Sequence, residues 1–186
     1  MHKGFTPALI AAALVFTGCS STEHKKALAA NPAPCPNVVV LNDAARFIQF
    51  DGGELAENVA YSGEVVDVST TCRYFSDKPI EATVSIDVAF GKGPKGAEQE
   101  KIFNYFVAVT RTNTDVIDKK IFPVKVKFDD DRPVEAFRVD IDKIVIPRKD
   151  ENTSGVNFEI VIGFEVTPQQ AIFNRSGKSL KFPDVK

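Results

Sequence analysis

From Ile80 to Phe90 every second residue is apolar: Ile80, Ala82, Val84, Ile86, Val88 and Phe90, with Glu81, Thr83, Ser85 and Asp87 between them. A period of two sends the two sets to opposite faces of an extended chain, one to bury and one to wet. Phe103, Tyr105, Val107 and Val109 repeat the pattern. Phe158, Ile160, Ile162, Phe164 and Val166 do so with Val161 and Gly163 on the other side, a more apolar outer face. Phe122, Val124, Val126 and Phe128 form a further set with Lys125 and Lys127 outward. Pro123 inside that run has no N–H to give a ladder, which predicts an edge strand or a bulge. Val59–Thr71 and Val134–Ile146 read as long or broken strands, Val38–Leu41 and Phe47–Phe50 as short ones.

Turn formers separate these runs: Asp51-Gly52-Gly53, Gly91–Gly96, Thr112–Asp115, Asp129–Pro133 and Asn152–Gly155. The spacing suits antiparallel hairpins and leaves no room for helical crossovers. One helix is predicted near the end, with Thr167 as N-cap, Pro168 first, Gln170 completing a capping box and Gly177 after the stop. Its Ala171, Ile172 and Phe173 are expected to cover the apolar gap at Val161 and Gly163. Asp43–Arg46 suits a single helical turn. The fold class predicted is all-β, an antiparallel two-layer β-sandwich with one short C-terminal helix. About seven alternating strands give it an immunoglobulin- or fibronectin-like outline. The absence of Trp keeps that likeness architectural. A partly open barrel is the alternative.

The chain has 186 residues, 44% of them hydrophobic and 26% charged, which fits one globular domain. Lys and Arg total 23 against 25 Asp and Glu, a net charge of −2, so no nucleic-acid partner is expected.

Met1–Cys19 reads MHKGFTPALIAAALVFTGC. Lys3 supplies a short positive region, Ala8–Phe16 is an apolar stretch of nine residues, and small Thr17 and Gly18 precede Cys19. This resembles the lipobox of bacterial lipoproteins, with Phe16 where the family usually has Leu. The resemblance implies a signal peptide over residues 1–18, cleavage before Cys19, and lipidation of the Cys19 thiol and new amino terminus. Two or more acyl chains hold a soluble body stably at a membrane, at about 0.8 kcal/mol per buried CH₂. Ser20 and Ser21 in place of Asp imply, by the same resemblance, the periplasmic side of the outer membrane. Residues 19–34 then serve as the lipidated Cys and a flexible linker, and residues 35–186 as a single sandwich domain.

Cys35 and Cys72 are left as an even pair in an oxidising compartment. Their natural pairing is a disulfide; two buried free thiols are the alternative. The spacing matches no zinc motif and no metal site is expected.

His2 leaves with the signal and His24 lies in the linker, so residues 35–186 carry no His. That removes Ser-His-Asp and Cys-His chemistry, and no P-loop or dinucleotide fingerprint is present. No catalytic residue, no cofactor and no enzyme activity are expected. The remaining candidates have bland accounts beside them. Asp129, Asp130 and Asp131 suit a Ca²⁺ site or a solvated turn. Asp140 and Asp142 suit a carboxylate pair or a wet sheet face. Lys92–Ala97 reads as a mobile basic loop that could meet an anionic glycan or lipid, or as an ordinary hairpin. Asn104, Tyr105 and Phe106 suit a stacking patch or core packing.

Cys35-Pro36, Cys72-Arg73-Tyr74, Tyr105–Thr110 and Phe122-Pro123-Val124 also resemble a small proteobacterial lipoprotein family of no established activity. The expectation is a lipid-anchored envelope protein: a non-enzymatic interaction or scaffolding module whose partner is an envelope protein or peptidoglycan. A periplasmic ligand-binding or carbohydrate-active protein is the alternative.

Overall fold

The computed structural model describes residues 34–181 apart from Ser76, Asn113 and Asp130. The lipobox with Cys19, both His residues and all of the linker before Pro34 lie outside the described residues.

Eight strands follow in order: β1 (Asn37–Val40), β2 (Arg46–Phe50), β3 (Val59–Arg73), β4 (Ile80–Lys92), β5 (Glu100–Arg111), β6 (Val116–Lys127), β7 (Val134–Ile146) and β8 (Phe158–Phe164). They form two four-stranded sheets, ordered β1-β8-β5-β6 and β2-β3-β4-β7. The alternating apolar residues of both sheets turn inward on one core. Ile80, Ile86, Phe90, Ile160, Ile162 and Phe164 are all fully buried there. Aromatic rings join the layers: Phe90 of β4 stacks on Phe103 of β5 with centroids 4.9 Å apart, and Phe47 meets Phe164 edge-on at 5.0 Å.

The expectation of an antiparallel sandwich needs one correction. β1 pairs with β8 in parallel, from Asn37 opposite Glu159 to Val40 opposite Ile162. Parallel neighbours need a long connection. Here almost the whole domain lies between the first strand and the last, a separation no local pattern reveals.

β3 stays continuous across 15 residues by changing register between Val65 and Asp67. The shift leaves Val66 exposed and returns Val68 and Cys72 to the inner side. Pro123 sits where its missing donor predicts, on β6, which has β5 on one side and, among the described residues, no strand on the other. Asp43–Arg46 gives a 3₁₀ turn over Asn42–Ala44, running straight into β2.

The helix α1 (Pro168–Arg175) starts with the capping box its sequence predicts. The Thr167 N–H donates to Gln170 Oε1 at 2.8 Å and Thr167 Oγ1 accepts from the Gln170 N–H at 3.2 Å. Gly177 follows at φ 74°, the left-handed conformation that glycine adopts without strain. The helix does not cover Val161 and Gly163. Phe173 packs on Ile48 and Val59, and Asn174 Nδ2 donates to the carbonyls of Asp43 and Arg46. Ala44 of the 3₁₀ turn covers Gly163 instead, so closely that a Cβ there would stand 2.7 Å from the Ala44 methyl. A methyl fills a gap too narrow for a helix.

Candidate functional site

Cys35 and Cys72 form a disulfide with their Cα atoms 5.6 Å apart. It ties the residues before β1 to the end of β3. A second tie lies beside it. The Tyr74 hydroxyl donates to the Pro34 carbonyl at 2.6 Å and accepts from the Gly155 N–H at 2.9 Å. Gly155 is required at that spot, because a Cβ would come within 2.6 Å of both Pro34 O and the Tyr74 hydroxyl. Three remote stretches of chain thus meet where the described domain begins.

The other sequence candidates are dispersed. Asp129 pairs with Arg132 at 2.6 Å within its turn, and Asp130 lies outside the described residues. Asp140 accepts from Ser85 Oγ at 2.6 Å, whereas Asp142 offers its main-chain carbonyl to Thr83 Oγ1 at 2.9 Å. Both are exposed on β7. Among the described residues no three His, Cys, Asp or Glu come together as a metal-ligand set. The Lys92–Ala97 loop is pinned rather than loose: Gly93 N donates to Ala60 O at 2.8 Å and Lys95 N to Val59 O at 3.0 Å. The Asn104-Tyr105-Phe106 patch is divided by strand alternation. Tyr105 turns into the core and stacks on Phe122 at 5.5 Å, while Phe106 lies outside beneath Lys119. Burial raises the Tyr105 phenol above its ordinary pKa.

Among the described residues, openings between the layers include a cleft and a notch. The free edges of β6 and β7 bound a cleft of 240 Å³ floored by Val107, Val109, Phe122, Ile141 and Ile144. Asp118, Lys120 and Lys143 stand at its rim. Asp118 and Lys120 pair at 3.7 Å, and Lys143 is held by Glu81 at 2.7 Å.

The second opening is a polar notch of 150 Å³ at the far end of β8. β8 pairs with β5 only from Tyr105 onward, so β5 runs past it over Glu100–Asn104. Glu165, just after β8, donates its N–H to Asn104 O at 3.0 Å, and its carboxylate accepts from Asn104 Nδ2 at 3.2 Å. Gln49 of β2 and Gln170 of α1 complete the rim, with Phe47 and Phe103 beneath. The Gln170 amide is spent on the helix cap and on Ile48 O. Gln49 shares the inward face of β2 with Phe47, yet its half-buried amide has no hydrogen-bond partner among the described residues. A register shift against β3 falls immediately after it. Gln49 and Glu165 were not singled out by their sequence. A polar residue at an inward position of Phe-Ile-Gln-Phe was the available signal for Gln49.

The described chain is therefore a mostly-β, two-sheet, disulfide-bonded domain with one short helix. Comparison with known protein families, with curated proteins and with solved structures finds no match to it.

Proposed function

We propose that the protein is a lipid-anchored component of a bacterial cell envelope, held through Cys19 on the periplasmic side of the outer membrane. There it acts as a non-enzymatic interaction or scaffolding module, and its partner is another envelope protein or peptidoglycan. The observation that carries this reading is the Cys35–Cys72 disulfide, because such bonds persist in oxidising compartments and are rare in a reducing cytosol. It agrees with the address implied by the lipobox-like leader. The sandwich is immunoglobulin- or fibronectin-like in outline, meaning two stacked sheets with inward alternation; the likeness extends to layer count and no further.

Cell fractionation with and without Cys19→Ser tests the anchor. The unaltered protein should sediment with outer membranes and carry an acylated Cys19 at its amino terminus. Cys19→Ser should leave it unacylated. A soluble, unacylated natural protein, or one that keeps residues 1–18, would overturn the proposal. The alternative of a periplasmic ligand binder draws support from the unpartnered polar groups of the notch.

A further inference from the structure

We infer that β7 is the edge through which two copies of this chain pair, antiparallel, about a two-fold axis at Val139. The pairing joins the β2-β3-β4-β7 sheet of each copy into one continuous sheet. It goes beyond the envelope reading above and does not rest on the anchor, since β7 belongs to the folded domain.

The edges of the two sheets differ in how they are protected. An open strand edge is a template for another chain unless something blunts it. β1 is only four residues long. β2 has its outward carbonyls, those of Arg46 and Ile48, taken by Asn174 and Gln170 of α1. β6 lacks a donor at Pro123 and carries Lys119, Lys125 and Lys127, all of one sign, on its outer face. β7 runs for thirteen residues with no proline and, among the described residues, no element across its open side. Its regular stretch is Val134–Ile141, beyond which the register against β4 shifts. Lys92 N donates to Pro133 O at 2.8 Å, so the odd-numbered residues of this stretch address β4. Val134, Ala136, Arg138 and Asp140 therefore turn their N–H and C=O groups to the open side.

The charges of β7 select a second copy and set the register. Arg138 chelates Asp87 through Nε and Nη2, which leaves Nη1. Asp140 accepts from Ser85 through Oδ1, which leaves Oδ2. An antiparallel copy about Val139 puts Arg138 opposite Asp140 of the second copy, and the two-fold repeats the match in reverse. An axis at Arg138 or at Asp140 would oppose like charges, and one at Phe137 would put Arg138 opposite Ala136. Arg138 and Asp140 are then the residues that exchange main-chain hydrogen bonds across the axis. On the inner face Val139 meets its own copy, and Phe137, 36% exposed, meets Ile141. Aromatic and β-branched cross-strand pairs of this kind stabilise antiparallel strands. An axis normal to the sheet keeps both second layers on the same side. The clefts between β6 and β7 of the two copies thus face each other, and their apolar floors share cover.

The test is analytical ultracentrifugation of the full-length protein carrying Cys19→Ser, so that neither acyl chains nor that thiol can link two copies. A reversible monomer–dimer equilibrium is expected. Arg138→Asp and Asp140→Arg should each weaken it by roughly tenfold or more, because each turns both attractive positions repulsive. Mixed together, the two variants should pair again as a heterodimer, since the reversals complement each other at both positions. That recovery also shows that each variant is folded. Val139→Cys should bridge two copies on mild oxidation, because residues facing across a non-hydrogen-bonded antiparallel pair have Cα atoms about 4.5 Å apart, within disulfide range. Ala136→Cys, away from the axis, should not. A protein still monomeric at about 1 mM, about three decades above a micromolar complex, would overturn the inference and leave the edge to a strand of another protein. So would a dimer indifferent to both reversals, a mixture that fails to pair, no bridge in Val139→Cys, or assembly beyond the dimer. Acylation of Cys19 enters none of these outcomes, so failure here leaves the anchor to be judged by fractionation alone.

Discussion

Breaking the Cys35–Cys72 bond is the perturbation whose size follows most directly from the chain. The two cysteines are separated by 37 positions. In the loop-entropy model, closing a loop of that length removes about 13 cal/mol/K from the unfolded ensemble, about 4 kcal/mol at 25 °C. A domain of this size gains roughly 0.3 kcal/mol/K of entropy on unfolding near its midpoint. The Tm should therefore fall by about 10–15 °C when Cys35 and Cys72 are both replaced by Ser. Calorimetry on the paired variants is the assay, with mass spectrometry confirming that the bond is present in the natural protein. Hydrogen exchange should add a spatial signature. β1 has only four residues and one neighbour in its sheet, so its amides should lose protection first, ahead of the β3–β4 pair. A Tm change under about 3 °C, or equal loss of protection across both sheets, would refute the reasoning.

Phe90→Ala should cost about 3–5 kcal/mol, since the ring is fully buried and packs on Phe47, Phe103, Phe137 and Phe164; chemical denaturation reads it. Thr167→Ala should cost about 1 kcal/mol by removing the helix cap, with thermal melting as the measurement. Acid should expose two surface pairs. A hydrogen bond from Lys143 lowers the Glu81 pKa and hydrogen bonds from Arg138 lower that of Asp87. Their stabilisation is present above the ordinary carboxylate value of about 4 and is lost as pH falls through the lower folded values. Glu81→Gln with Asp87→Asn should flatten the dependence of the denaturation midpoint on pH in that window. Tyr105 has the opposite sign. Its raised pKa stabilises the fold fully below about pH 10, and this is lost as pH rises toward the folded value. Its phenolate absorbance should therefore appear later than that of the exposed tyrosines of the unfolded chain.

Strands governed by burial were legible in the sequence. The bounds of β7 and the cap, start and stop of α1 follow the pattern and turn chemistry residue by residue. β6 shows why other features were not. Its first half, Val116–Ile121, is exposed on both faces and carries Asp118, Lys119 and Lys120. It is extended because β5 pairs with it, not because a face is buried, so alternation gives no sign of it. The reach of α1 was misjudged for a related reason. Its apolar residues announce that they need cover, but only the hydrogen bonds of Asn174 and Gln170 to the β2 region determine which cover they receive. The notch was invisible for the same cause, since it exists where β8 ends one pair short of Asn104 and a side chain from the other sheet looks in.

The linkage at Cys35 also has a mechanical consequence. Tension arriving along the residues before Pro34 meets a covalent junction before it meets any strand. It passes into the end of β3, which pairs with β4 from Tyr61 to Arg73, instead of peeling away the four-residue β1 one bond at a time. A body hauled by its leading segment would thus be gripped by its longest strand, and its weakest edge would ride slack.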